Sequence, residues 1–297
     1  MQKRRAIKKN TLLGYLFLVP AAVFVTLFIV IPVFWNLGLA FFQWDGVSDM
    51  KFTGIKNFTD MFQNSAVFAT IRRSIFIALV STAVSMGLGI LYALLLNRLK
   101  KKEQTVLRFI FFCPAMLPLS IVGILFIFVF STDVGILNSL LSAVGLEQFR
   151  KPWLADPSIS LWVIAIVQGW RQAGVIMILI TTAIMGIPKS LFENGRLEGC
   201  NYWDDVRYVI LPLIKPSLNM LLSMTLMSAF KTYDMVYSMT KGGPGEMTYT
   251  VPMKIMQAGF SYNRYGQAAA LGVVLTVVTT VFIVAARYAL RGENYEY

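Results

Sequence analysis

The chain has 297 residues, of which 57% are hydrophobic and 14% charged. A soluble domain carries about 25% charged residues, so this composition excludes an ordinary soluble protein. The net charge of +12 raises nucleic acid as a partner, but the basic residues flank apolar runs, and no nucleic-acid partner is expected. Charge-free runs cover Asn10–Trp44, Ser74–Asn97, Phe109–Thr132 and Tyr265–Ala286. Each exceeds the ~20 residues a helix needs to cross hydrocarbon. Two further runs are interrupted: Pro157–Pro188 by Arg171, and Pro216–Met239 by Lys231 and Asp234. The predicted fold class is all-α, a polytopic membrane protein of six transmembrane helices in a lipid bilayer.

The first helix is expected over Leu12–Phe42, with Pro20 and Pro32 inside it. Its basic start suits a signal peptide, but its apolar run far exceeds the ~7–15 residues of such a leader, so it reads as an uncleaved span. Residues 1–11 form a basic arm ahead of it. A loop follows, with turn chemistry at Trp44-Asp45-Gly46. Helix two is expected over Ser74–Asn97 and helix three over Phe109–Phe130, the latter holding Pro114 and Pro118. Neighbouring groups must then satisfy the carbonyls that the prolines free. The GILNSLLSAVGL segment reads as a short interfacial helix. Helices four, five and six are expected over Ile159–Met185, Ser217–Met239 and Gln267–Arg287.

With the N-terminus inside, 16 Lys and Arg fall in cytoplasmic segments and 9 in outer loops, as the positive-inside rule requires. Both termini are then cytoplasmic. Arg72-Arg73 run against the rule and suggest a surface helix. Cys113 and Cys200 fall in a span and a cytoplasmic loop, so no disulfide or metal site is expected. The chain has no His, which removes the commonest metal ligand and general base. No G-x-x-x-x-G-K-[ST] loop is present, so an ATP site of that kind is not expected. No catalytic residues and no cofactor are expected.

The loop at 188–216 carries the strongest motif. Glu193 is followed by Gly199 and then by Val209 and Leu211-Pro212. Ser190 and Glu193 have capping-box spacing, which predicts a helix starting there. Gly199 suits a left-handed bend. Tyr202, Trp203, Val206, Tyr208 and Val209 give a second segment with an apolar side. This spacing resembles the E-A-A-x3-G-x9-I-x-L-P loop of permease subunits of bacterial ABC importers. The chain departs from it at Asn194-Gly195, Glu198 and Cys200. A plainer reading makes Glu193 a cap and the aromatics an interfacial belt.

Thr240-Lys-Gly-Gly-Pro244, followed by Thr248, Thr250, Phe260, Tyr265-Gly266 and Ala268–Ala270, is similar to a segment of the carbohydrate-uptake permeases within that family. The Trp44-Asp45-Gly46 turn and the Gly54–Phe58 stretch fit the same resemblance. What the resemblance implies is a permease domain over 12–297, with a core of about 68–288 and a cytoplasmic coupling-helix loop at 188–216. It implies location in the bacterial cytoplasmic membrane and ATP-driven carbohydrate import. The implied partners are a second permease in a heterodimer, two cytoplasmic ATPase subunits, an extracytoplasmic solute-binding protein and the sugar. Glu193, Gly199, Tyr202, Trp203, Leu211 and Pro212 become ATPase-coupling candidates.

Polar residues within the spans supply a candidate substrate path: Gln168, Trp170, Arg171 and Gln172 on helix four, and Thr225, Ser228, Lys231, Thr232 and Tyr233 on helix five. Ionisable groups in spans face a cavity or a partner, and sugars are recognised by an aromatic face with amides and hydroxyls. Equally, Lys231 and Asp234, three apart, could pair locally and snorkel. The alternative function is a secondary transporter of a small polar solute. Against it stands the lack of a visible repeat or midplane carboxylate. An intramembrane enzyme and a membrane scaffold are further alternatives.

Overall fold

The computed structural model describes residues 15–289. The basic arm 1–11 and the expected helix start at Leu12 lie outside the described residues. The chain divides into two compact units, one running to Asn64 and including Ile255–Val274, the other holding Ser65–Lys254 and the chain from Leu275. Four helices are long and apolar enough to cross a membrane, or six if each of two bent pairs counts as one span.

In the first unit, α1 (Tyr15–Leu39) is apolar and exposed from Tyr15 to Gly38. Pro32 lacks an amide hydrogen, and its ring crowds the preceding turn. Just before it the helix widens into a π turn over Thr26–Val30, and the Ile31 amide bonds the Thr26 carbonyl five residues back. A two-residue hairpin follows, β1 (Phe42–Gln43) with β2 (Lys51–Phe52). Asp45 accepts from the Val47 and Ser48 amides at 3.0 and 2.7 Å, which holds its carboxyl down at about 2. On α2 (Lys56–Gln63), the buried Asn57 amide donates to the Ala40 and Phe42 carbonyls, each at 2.9 Å. The start of α13 (Tyr265–Ala289) joins this unit. The Tyr265 amide bonds the Trp44 carbonyl at 3.0 Å, and Leu39, Ala40, Ala269 and Ala270 form the core. The first loop motif thus packs with the Tyr265–Ala270 end of the second.

The second unit is built on two long helices, α3 (Ser65–Asn97) and α7 (Ser160–Met185). Helix α3 starts nine residues before the expected Ser74. Arg72 and Arg73 therefore lie on the span's own extension, with Arg72 over the Phe68 ring. The third span is not one helix. It breaks into α4 (Lys101–Met116) and α5 (Leu119–Val129), bent by 98°. The cause is local: Leu117 precedes Pro118, is pushed out of the helical region, and takes an extended ψ of 139°. A two-turn helix, α6 (Ile136–Ala143), follows. The buried Asn138 ties its loop, with its amide donating to the Thr132 and Lys151 carbonyls and its oxygen accepting from the Trp153 indole.

Helix α8 (Lys189–Leu197) and α9 (Tyr202–Leu213) make the loop after α7. Chain direction then turns by 66° into α10 (Lys215–Phe230). The fifth span also differs from expectation. It unwinds at Lys231–Tyr233 and resumes as α11 (Asp234–Thr240). Helix α11 packs on α5, so the displaced halves of the two broken spans meet. A last helix, α12 (Val251–Met256), precedes α13.

The α4–α7 crossing depends on Gly174. A Cβ there would run into the Phe111 carbonyl and the Phe112 backbone, neither of which can rotate away. We expect Gly174→Val to destabilise the protein by about 1–3 kcal/mol through overpacking. The loss should appear as a lower melting temperature in detergent, while a Gly87→Ala control, with open space at its Cβ, leaves it nearly unchanged.

Candidate functional site

Both helix breaks are held from α7. The Arg171 guanidinium donates to the Ala115 carbonyl at 3.1 Å and to the Leu117 carbonyl at 2.9 and 3.1 Å. These are carbonyls that the α4–α5 break leaves without helical donors. The Gln168 amide donates to the Thr232 hydroxyl at the other break. The Thr232 carbonyl is taken by the Thr250 hydroxyl at 3.0 Å. Thr250 belongs to the Thr240–Thr250 motif, whose other buried threonine, Thr248, bonds the Thr240 hydroxyl at 2.7 Å and the Gly243 carbonyl at 2.8 Å. The Ser74 hydroxyl accepts from the Val251 amide at 2.8 Å. The motif is a strap that pins the unwound segment.

A cavity of about 200 Å³ opens between the breaks. Gln168, Arg171 and Gln172 reach it because positions i, i+3 and i+4 share a helix face. Thr225, Ser228, Lys231, Thr232, Tyr233 and Asp234 line it as well. Ser81 and Ser85 of α3 and Leu119 of α5 complete the wall. The two serines escaped the sequence reading, although their i, i+4 spacing in an apolar helix was the available signal. Trp170 is not among the lining residues. Two positions from Gln168, it points elsewhere and meets Phe126 edge-on at 5.5 Å, so the aromatic wall is Tyr233.

Several hydroxyls are already engaged. Those of Thr225, Ser81 and Ser85 donate to carbonyls of their own helices. Gln168 Oε1 is buried without a partner. Lys231 and Asp234 are exposed to the cavity and form no ion pair with each other; the ion pair found among the described residues is Lys254–Glu246, at 3.0 Å. The local Lys231–Asp234 pair allowed by their spacing is therefore not formed. Among the described residues no cluster of His, Cys, Asp or Glu could hold a metal ion.

The second candidate site is the α8–α9 loop. Helix α8 begins after Pro188 with no side-chain cap, so the Ser190–Glu193 capping box is not formed. Ser190 lies one residue inside the helix, too late to cap it. Glu193 lies exposed on α8. Gly199 has φ +86° and closes the helix: its amide bonds the Arg196 carbonyl, and the Cys200 amide bonds the Gly195 carbonyl, the paired bonds of a Schellman motif. The capping box sits one turn later. Asn201 accepts from the Trp203 and Asp204 amides, and Asp204 accepts from the Asn201 amide.

This geometry separates the candidates. Trp203 is 65% exposed and Leu197, which the sequence reading passed over, is 87% exposed. Leu211 is at the surface and Pro212 is half-buried at the start of the turn into α10. Tyr202 instead turns inward, its hydroxyl donating to the Leu94 carbonyl at 2.7 Å. Beneath the loop, Val206, Ile210 and Ile214 share a core with Leu96, Ile180 and Ile184.

Residues 85–292 match the model of the family described as "Binding-protein-dependent transport system inner membrane component". The "Probable ABC transporter permease protein YurN" of Bacillus subtilis is 32% identical over 275 residues, 92% of this chain and 94% of the relative. The "Sulfoquinovosyl glycerol transport system permease protein SmoG" of Agrobacterium fabrum is 32% identical over 282 residues, 92% of this chain and 90% of the relative. A solved bacterial ABC transporter involved in the import of the acidic polysaccharide alginate contains a chain of the same fold. Its TM-score is 0.82 at 24% identity, over 98% of this chain and 99% of that one.

The Arg171 bonds permit a direct test. Arg171→Leu strips the donors from two carbonyls in an apolar setting, where an unsatisfied group costs about 1–3 kcal/mol. We expect a clear fall in melting temperature of the purified protein. Gln172→Leu, which removes no hydrogen bond, should leave it within the error of the measurement.

Proposed function

The chain belongs to the binding-protein-dependent transport system inner membrane component family, and on that premise we propose that it forms half of the channel of an ATP-driven carbohydrate importer. It is a multi-pass membrane protein and a transport permease. The remaining parts of the assembly are our reading: a second permease completing a heterodimer, two ATPase subunits on the cytoplasmic side, and an extracytoplasmic solute-binding protein. In this reading both termini are cytoplasmic, the permease domain spans 12–297, and the chain performs no covalent chemistry of its own.

The observation that carries the coupling role is the exposed apolar tip of the 188–216 loop. Leu197 and Trp203 stand on either side of the Gly199 bend, at 87% and 65% exposure. Exposed apolar groups at the end of a rigid helical turn call for a covering partner. The ATPase is that partner: Glu193, Gly199, Trp203, Leu211 and Pro212 shape the docking knob, and Leu197 joins them. Movement of the ATPases would then reorient the helices between two access states.

Carbohydrate as cargo rests on the cavity chemistry and on the relatives. Gln168 Oε1 and the Asp234 carboxylate accept, Lys231 donates, and the Gln172 amide and Ser228 hydroxyl do both. A polyhydroxylated ligand presents donors and acceptors on every edge and matches such a mixed wall. SmoG is named for the transport of sulfoquinovosyl glycerol, and the alginate transporter for the import of an acidic polysaccharide. Arg171 lines the cavity, but its donors are committed to the helix break.

Two outcomes test this reading. Gly199→Glu places a Cβ and a charged side chain at φ +86°, where non-glycine residues are strained. We expect it to abolish uptake in cells while the protein still inserts. Unimpaired uptake together with normal ATPase association would reduce the loop to a connector. Within the cavity, Tyr233→Ala and Lys231→Met should each lower uptake or shift sugar preference in proteoliposomes. Trp170→Ala should act less on uptake, since its ring packs on Phe126.

A further inference from the structure

The coupling loop must do more than bind; it must carry a helix with it. Its attachment to α3 has two parts of different physical character. One is the apolar core shared by Leu96, Ile180, Val206 and Ile210. Apolar burial is non-directional, so such a surface tolerates sliding. The other is the directional contact that Tyr202 makes at the end of α3.

Helix α3 ends with a change of hydrogen-bond register. The Arg98 amide bonds the Leu95 carbonyl at 3.2 Å, and the Leu99 amide bonds the Leu96 carbonyl at 3.1 Å. Both bonds reach back three residues instead of four. The Leu94 carbonyl therefore loses the donor that a continuing α-helix would supply. Tyr202, 108 positions along the chain, donates its hydroxyl to that carbonyl at 2.7 Å. The Arg98 guanidinium lies over the Tyr202 ring, 4.7 Å from its centroid, and clamps it from the outside. On the loop side, Tyr202 lies within the Asn201–Asp204 capping box, so its backbone is fixed as well. Burial pushes the phenol above its ordinary value, and it stays a donor throughout the physiological pH range.

We propose that Tyr202 is the positioning residue that locks the coupling loop to the end of α3, so that displacement of the loop moves α3 instead of sliding beneath it. The proposal rests on the coupling role assigned to the loop above. It reassigns Tyr202 from the docking surface to the transmission behind it. Tyr202→Phe keeps the ring under Arg98 and removes only the hydroxyl, with its bond to Leu94 and its hydrogen bond with Asn97. Arg98→Gln keeps the donor and removes the clamp.

The test uses the chain assembled with its permease and ATPase partners, with Cys113 and Cys200 replaced by Ser. Spin labels are placed at Leu95→Cys and Arg207→Cys, both exposed positions outside the docking knob. In the parent, the label distance should be narrow and unchanged on adding ATP with vanadate. In Tyr202→Phe it should broaden and shift with nucleotide, while ATP hydrolysis persists. Arg98→Gln should show the same change to a smaller degree. Amide exchange at Arg98 and Leu99 should rise several-fold, up to about tenfold, in Tyr202→Phe, as expected for loss of one hydrogen bond. A label distance as narrow and fixed as in the parent overturns the proposal, and faster exchange without a distance change marks the bond as a helix cap only. A parent chain that captures no ATPase subunit fails the coupling role itself, and the proposal falls with it by a distinguishable route.

Discussion

Unpaired backbone groups in an apolar environment are the constraint on which this structure turns. A helix can break within a membrane-length segment only where other groups take over its donors and acceptors. Here two spans break, at Leu117-Pro118 and at Lys231–Tyr233, and both are met by the same face of α7. Arg171 supplies a rigid fork of donors to the carbonyls at one break. At the other, Thr250 takes the Thr232 carbonyl while Gln168 holds the Thr232 side chain. Because the breaks are satisfied, they persist, and the polar cavity exists in the space they leave. A straight pair of helices would have filled that space with side chains.

The same logic explains why polar residues cluster on α7 without all facing a ligand. Position decides role. Gln168, Arg171 and Gln172 share a face, yet Arg171 is consumed by backbone and Gln168 is half-consumed, its Oε1 left over. Trp170 leaves that face and becomes part of the apolar packing against Phe126. The residues left with unsatisfied hydrogen-bonding capacity, rather than all polar residues, define the chemistry of the cavity.

The loop between α7 and α10 shows a comparable division between surface and support. Its helix ends are closed by local bonds, at Gly199 by backbone and at Asn201 by side chain. Local closure lets a short segment hold its shape without deep burial, and so it can present Leu197 and Trp203 outward. Its inner side merges with the ends of α3 and α7 through Ile180, Ile184, Val206 and Ile210. A stiff tip on a packed base is the arrangement a mechanical contact requires.

Much of this was determined by the sequence itself. Charge-free length specified the spans, because hydrocarbon admits only runs of apolar residues with internal hydrogen bonding. Gly199 announced a left-handed bend, since glycine alone adopts that conformation without strain. Pro118 carried the third-span break in principle, through its restriction of Leu117. The break in the fifth span had no such marker: Lys231, Thr232 and Tyr233 are compatible with a helix, and only bonds from Gln168 and Thr250, 64 residues before and 18 after Thr232, make the unwound form the stable one. The inward turn of Tyr202 and the commitment of Arg171 to carbonyls 54 and 56 residues away were likewise decided by tertiary structure. Residue type states what a side chain can bond; which partner it finds depends on distances set by distant parts of the chain.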